Sequence, residues 1–196
     1  MTEPTAPEEH KASTPGRLLY WGPLMLFGAI ALLAFVMLSR EEQGQRDTSS
    51  IGFSMEGGSM PELVLQPLEN SNEQINLAAW KGRAYGLNIF ASWCAPCRAE
   101  APAIAALAEK LPMVGISYKD KAADSLRFLE QYGNPFSAIG RDEEGQAVIQ
   151  LGVYGVPETF IIDGEGRIIL HHRGPILGET MQGPIREALL KLGIKP

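Results

Sequence analysis

Residues 84–97 read Ala-Tyr-Gly-Leu-Asn-Ile-Phe-Ala-Ser-Trp-Cys-Ala-Pro-Cys. The first seven are mostly apolar, as in a strand buried on both faces. After Cys97 the apolar positions Ile104, Leu107 and Leu111 recur at i, i+3 and i+7, which predicts a helix from about Ala95 to Lys110. A central strand that delivers Cys94 to the start of a helix decides the fold and suggests the chemistry. Cys94 and Cys97 are the only cysteines in the chain. Thiols three positions apart can close a disulfide on the first helical turn, and a disulfide that opens and closes there is a two-electron reagent.

The position of Cys94 has consequences. Backbone N–H groups at a helix start are unpaired and the helix dipole is positive there, so a thiolate is favoured and the usual pKa of about 8.5 should fall. Cys97, one turn further on, points back into the protein and should stay protonated. Cys94 is therefore expected to be the exposed, attacking sulfur and Cys97 the resolving one. Zinc would require two more ligands, and there is no second cysteine pair. His171 and His172 are adjacent on an expected strand, so they face opposite sides of a sheet. They read as surface and edge packing, and no metal is expected. No cofactor is expected either.

Outward from this centre the pattern alternates. Residues 62–65 and 74–77 read as short strands, with a helical turn at 78–80. Residues 113–117 read as another buried strand, and 124–132 as an amphipathic helix ending at Gly133. Residues 159–163 and 167–172 are apolar runs joined by Gly164-Glu165-Gly166, a hairpin signal. Residues 178–192 close with a helix. Strand and helix in this order predict an α/β domain over residues 61–196, a mixed sheet with helices on both faces. Pro102 falls inside the first helix, where it removes a hydrogen bond. Pro157 precedes a strand.

From residue 61 onward there are 13 Lys/Arg and 16 Asp/Glu. That balance offers no basic face, and no nucleic-acid partner is expected. Leu18 to Leu38 is 21 residues without a charge. As a helix it spans roughly 30 Å, the hydrocarbon thickness of a bilayer. Tyr20 and Trp21 stand at its start, as interfacial aromatics do. A cleavable leader has a shorter apolar region, of about 7–15 residues, so an uncleaved transmembrane anchor is expected. Residues 1–17 read as a disordered cytoplasmic N-terminus and 39–60 as a flexible linker. Flanking positive charges tie and do not orient the span. A tethered dithiol is most useful where disulfides form, which places the domain outside.

Trp93-Cys94-Ala95-Pro96-Cys97-Arg98 after a buried strand, Pro102 in the helix and the Val156-Pro157-Glu158-Thr159 step together resemble the thioredoxin superfamily. Residues 115–120 (Gly-Ile-Ser-Tyr-Lys-Asp), 133–136 (Gly-Asn-Pro-Phe) and 151–160 (Leu-Gly-Val-Tyr-Gly-Val-Pro-Glu-Thr-Phe) are similar to the membrane-anchored thiol:disulfide interchange proteins of bacterial cytochrome c biogenesis, the DsbE/CcmG type.

The resemblance implies a thioredoxin-like fold and a cis Pro157 facing the cysteines. It also implies substrate contacts from Trp93, Pro96, Val156 and Pro157, and a groove shaped by residues 118–135. It implies Glu100 and Glu158 at the active site, tuning the thiols or moving protons. A negative charge nearby raises a thiol's pKa and opposes the helix dipole, leaving Cys94 closer to ambient pH. Asn88 stands where thioredoxin has a buried Asp, which makes Glu100 the candidate base for Cys97.

The implied function is a reductase on the periplasmic side of the bacterial inner membrane. Its substrate would be the CxxC disulfide of apocytochrome c, or a partner in the haem-ligation machinery, before haem attachment. The implied electron donor is a membrane dithiol carrier of the DsbD or CcdA kind. A broader membrane-anchored thiol reductase for other exported proteins, a disulfide oxidase or isomerase, and a pure binding module are the alternatives.

Overall fold

A computed structural model describes residues 23, 25–33, 55–69 and 74–196. The expected disordered N-terminus at 1–17 lies outside the described residues, as do most of the expected anchor at 18–38 and the linker up to residue 54. Residues 25–33 are helical, with Met25, Leu26, Phe27, Ile30, Leu32 and Leu33 exposed. Among the described residues no helix is long and apolar enough to cross a membrane.

Residues from 55 onward build a seven-stranded sheet. Its strands are β1 (Val64–Pro67), β2 (Ile75–Asn76), β3 (Tyr85–Phe90), β4 (Met113–Tyr118), β5 (Ala138–Asp142), β6 (Glu158–Ile162) and β7 (Ile168–Arg173). They lie in the order β2-β1-β5-β4-β3-β6-β7. β3 pairs parallel with β4, and β4 with β5; the other pairings are antiparallel. The mixed sheet expected from the sequence is the one found. Every residue of β3 is buried, as its apolar run requires.

The helices are α1 (Ala95–Ala108), α2 (Ala122–Tyr132) and α3 (Gln146–Gln150). The C-terminal helix forms in three pieces: Gly178–Thr180, a π turn at Met181–Ile185 that contains Pro184, and α4 (Arg186–Lys191). Side chains alternate across the strands, so each sheet face carries its own core. Leu87, Ile89, Phe160 and Ile162 pack with Leu77, Trp80, Val148 and Leu151 on one face. Met113 and Ile161 pack with Ile104 and Leu107 of α1 and with Ile185 and Leu189 on the other. α1 runs through Pro102 without ending.

Two readings need correction. Residues 55–60 were expected in the linker but lie along the β6–β7 hairpin. The Gly57 N–H donates to Ile168 O at 2.8 Å and the Met60 N–H to Gly166 O at 2.8 Å, while Met60 itself is buried. The first strand begins two residues later than its apolar pattern, at Val64; Leu63 is buried ahead of it, its carbonyl accepting the Leu77 N–H at 2.9 Å. β5 and α3 carry no clear signal. β5 has Gly140 in its middle, where a Cβ would come within 2.5 Å of the Leu65 side chain on β1. The close approach of two strands demands the residue that most weakens a strand pattern.

Candidate active site

The chain leaves β3 at Phe90 and is held for the next three residues by the loop after β4. Asp120, buried at the end of that loop, accepts from the Ser92 N–H at 2.7 Å and the Ser92 hydroxyl at 2.9 Å. It also accepts from the Ser125 hydroxyl at 2.7 Å and the Lys121 N–H at 3.0 Å. Lys119 adopts φ 45°, unusual for a side-chain-bearing residue, and its carbonyl accepts from the Trp93 indole N–H at 3.1 Å. Asp120 and Lys119 carried no role in the sequence reading. Their signal, the Lys-Asp step after a buried strand, becomes informative only once β4 and β3 are seen to be neighbours.

Cys94 then caps α1, its Sγ accepting the Cys97 N–H at 3.0 Å. Pro96 occupies the first helical turn, where its missing N–H costs little. The two sulfurs are bonded to each other at 2.07 Å. A sulfur that accepts a backbone N–H at a helix start is stabilised when it carries negative charge. Trp93 is 56% exposed, but Cys94 is only 3% exposed and Cys97 is buried. The expectation of an open Cys94 is corrected: both sulfurs sit in a cluster with Phe90, Ala91 and Phe128, and Val156 packs against it. The Val156–Pro157 peptide is cis.

Behind Cys97 the same face of the sheet carries a polar group. Glu100 is 1% exposed. Its Oε1 accepts the Asn88 amide N–H at 2.9 Å and its Oε2 the Ile176 N–H at 2.9 Å. Asn88 also donates to the Thr159 hydroxyl at 3.0 Å. Burial pushes the Glu100 carboxyl up to about 7, against the two hydrogen bonds, which lower it. Cys97, Glu100 and Asn88 line one small cleft with Phe90, Phe128, Pro135 and Phe136. Its water-accessible volume is about 20 Å³, enough for about one water. Phe136 stacks on Phe90 at 5.2 Å. Gly115 makes that possible, since a Cβ there would stand 3.0 Å from the Phe136 ring. A cleft of about 480 Å³ between Trp80, Arg83 and Ser137 contains neither sulfur, so size alone does not locate the chemistry.

Glu158 is placed differently from Glu100. Strand alternation turns it to the opposite face of the sheet. Its Oε1 accepts the Tyr154 and Gly155 N–H groups at 3.0 and 3.3 Å, and its Oε2 lies 2.6 Å from His171 Nε2. His171 is thus not a surface residue: its side chain is fully buried and stacks on Phe160 at 4.0 Å. His172 faces the other way, as adjacent strand residues must. Burial holds its ring below the usual histidine range, against a hydrogen bond with the Pro175 backbone. Among the described residues no His, Cys, Asp and Glu cluster suited to a metal ion is found.

With this geometry in hand, comparison with known proteins is direct. Residues 55–187 match the Redoxin family. The chain is 35% identical over 182 residues to the thiol:disulfide interchange protein CycY of Rhizobium leguminosarum bv. viciae, covering 89% of this chain and 94% of that protein. It is 34% identical to the thiol:disulfide interchange protein DsbE of Pasteurella multocida (strain Pm70), covering 87% of this chain and 94% of the relative. A crystal structure from Chlorobium tepidum, described as a DsbE thiol:disulfide interchange protein, superposes with a TM-score of 0.59 at 26% identity, over 70% of this chain and 96% of that one. A cysteine pair closed as a disulfide at the start of α1, in this fold and among these relatives, leaves one conclusion: the chain belongs to the Redoxin family, in its DsbE/CycY group, and is a thiol–disulfide oxidoreductase.

Proposed function

We propose that the protein is a membrane-anchored reductase that opens the CxxC disulfide of apocytochrome c, or of a haem-ligation partner, on the periplasmic face of the bacterial inner membrane. The uncharged span of residues 18–38 supplies the anchor, and a membrane dithiol carrier of the DsbD or CcdA kind supplies electrons. The observation that carries the direction is Glu100, a buried carboxyl in the cleft that Cys97 lines. Negative charge beside the sulfurs disfavours thiolate and so destabilises the reduced form. A dithiol whose reduced form is not stabilised gives its electrons away. Oxidants of this kind do the opposite and stabilise theirs. The names of the CycY and DsbE relatives agree with a role in disulfide interchange.

The reaction balances on three groups. Cys94 thiolate attacks one sulfur of the partner disulfide, forming a mixed disulfide and releasing the other partner sulfur as thiolate. Glu100 carboxylate, directly or through a water in the cleft, takes the Cys97 proton. Cys97 then attacks Cys94 Sγ, and the second partner sulfur leaves and is protonated. Two electrons pass to the partner, and the Cys94–Cys97 disulfide seen here is the end state. Trp93, Pro96, Val156 and Pro157 line the approach to the sulfurs. Glu158 acts at one remove, by holding the loop before Pro157. The narrow access to Cys94 favours a partner that docks over small disulfides that do not.

Trapping tests this reading. A Cys97→Ala protein should accumulate a mixed disulfide through Cys94 with a protein bearing a CxxCH motif, or with a component that handles such proteins. Capture of a broad set of exported proteins would favour the general membrane-anchored reductase, and capture through no cysteine at all would contradict the mechanism.

A further inference from the structure

Beneath the loop that leads to Pro157, on the sheet face away from Glu100, lies a buried polar pair that the electron transfer does not use. Tyr154 is 73% exposed, and a Cβ on Gly155 would meet nothing within 4 Å. The Arg173 guanidinium lies over the Tyr154 ring, 5.6 Å from its centroid. The Tyr154 and Gly155 N–H groups converge on Glu158 Oε1 at 3.0 and 3.3 Å. The other oxygen, Oε2, is held by His171 Nε2 at 2.6 Å, with the Arg173 guanidinium further off at 3.9 Å.

The imidazole is well fixed for this task. Its ring lies nearly parallel to Phe160, 16° apart, and the His171 backbone N–H donates to Glu56 Oε1 at 3.0 Å. His171 Nδ1 is buried with no hydrogen-bond partner. A carboxylate oxygen only accepts, so the hydrogen between the two groups is the one on Nε2, donated to Glu158. A buried polar ring with one unsatisfied nitrogen costs more than an apolar side chain of the same shape would. Its return is the fixed carboxylate, and through it the fixed loop.

We propose that His171 is a positioning residue for partner recognition: by holding Glu158 it sets the Tyr154–Val156 backbone on which an extended peptide docks beside the disulfide. This rests on the reading of the domain as a reductase of peptide disulfides. The partner chemistry follows from the loop. It offers an exposed aromatic ring and backbone that runs into Val156, which packs against the cysteine cluster, and this suits an unfolded segment carrying a cysteine pair.

His171→Phe keeps a ring against Phe160 and removes the donor, whereas His171→Gln retains an N–H near the place of Nε2. Full-length protein in detergent is pre-reduced and mixed, in single turnover, with an oxidised peptide containing Cys-x-x-Cys-His, or with oxidised glutathione as a small disulfide. In His171→Phe the half-saturating peptide concentration should rise about tenfold, the equivalent of about one hydrogen bond's worth of order. The saturated rate and the glutathione rate should stay unchanged, and His171→Gln should restore tight peptide use. Hydrogen exchange at the Tyr154 and Gly155 amides should accelerate about tenfold in His171→Phe and recover with Gln. An unchanged half-saturation, a parallel fall with both substrates, or no rescue by a folded His171→Gln overturns the proposal. If His171→Phe does not fold, His171→Leu serves as the donor-free variant under the same criteria. Failure of the wild-type protein to reduce the peptide sinks the reductase reading alone, because amide exchange tests the clamp without turnover.

Discussion

Cys94, Cys97 and Glu100 form the smallest unit on which the proposed chemistry rests, the cysteine pair making one prediction and the carboxyl others. In the reduced protein Cys94, which accepts the Cys97 N–H at the start of α1, should react with iodoacetamide before Cys97. Peptide mapping after partial alkylation reads the order, and label appearing at Cys97 ahead of Cys94 would reverse the assigned roles. Glu100, raised to about 7, gives a pH dependence with a definite sign. With its carboxylate as the proposed proton acceptor, resolution of the mixed disulfide should slow as pH falls through about 7. Glu100→Gln should be slower by about 10- to 100-fold and lose that inflection. Stability runs the opposite way, through a different cause. The folded pKa lies above the unfolded one, so the folded state holds a proton that the unfolded chain has released between about 4.5 and 7. The contribution is complete below the unfolded value and lost above the folded one, on the order of 3 kcal/mol. Denaturant titrations at the two ends of that window should show the loss in wild type and a much smaller one in Glu100→Gln. Equal slopes would mean that the carboxyl is not desolvated.

At the scale of elements, the dithiol is held in place by the β4–α2 loop as much as by its own helix. Asp120 gathers four donors from Ser92, Lys121 and Ser125. Asp120→Ala should cost about 2–4 kcal/mol, because it strands donors in a mostly buried place. Thermal unfolding would measure it, and a loss under half a kcal/mol would show that the loop is held by other means. Gly115→Ala should cost about 1–3 kcal/mol by pushing Phe136 off Phe90 and narrowing the cleft at Cys97. The sequence made β3 and α1 plain, since a continuous apolar run and a 3.6-residue period are direct consequences of burial on two faces and on one. It made β5 obscure, because Gly140 and the charged Arg141 and Asp142 occupy a strand whose neighbour β1 comes too close for a side chain. Glu100 was legible as a residue one turn past Cys97. Its bond to Asn88 was not, since that contact depends on where β3 and α1 meet. Glu158 was legible only as a neighbour of Pro157. The alternation that turns it away from Glu100, toward a buried His171, needed the register of β6 against β7.

For the molecule as a whole, placement and direction decide the function. The proposed anchor through residues 18–38, with the domain outside, makes two demands. The protein should stay with the membrane fraction after high-salt washing, and a reporter fused after Pro196 should be active only on the periplasmic side. Extraction by salt would contradict the anchor, and cytoplasmic reporter activity would contradict the placement. Direction is a matter of free energy: in this two-electron couple about 30 mV corresponds to about 1.4 kcal/mol, so one buried carboxyl can shift a dithiol between donor and acceptor. The most direct test is the equilibrium of the Cys94–Cys97 pair with a dithiol buffer of known potential, read by alkylating the free thiols at pH 7. A reduction potential toward that of thioredoxin, about −270 mV, is the value a reductase with Glu100 beside its sulfurs predicts, and one near about −120 mV, the range of a dedicated oxidant, would contradict it.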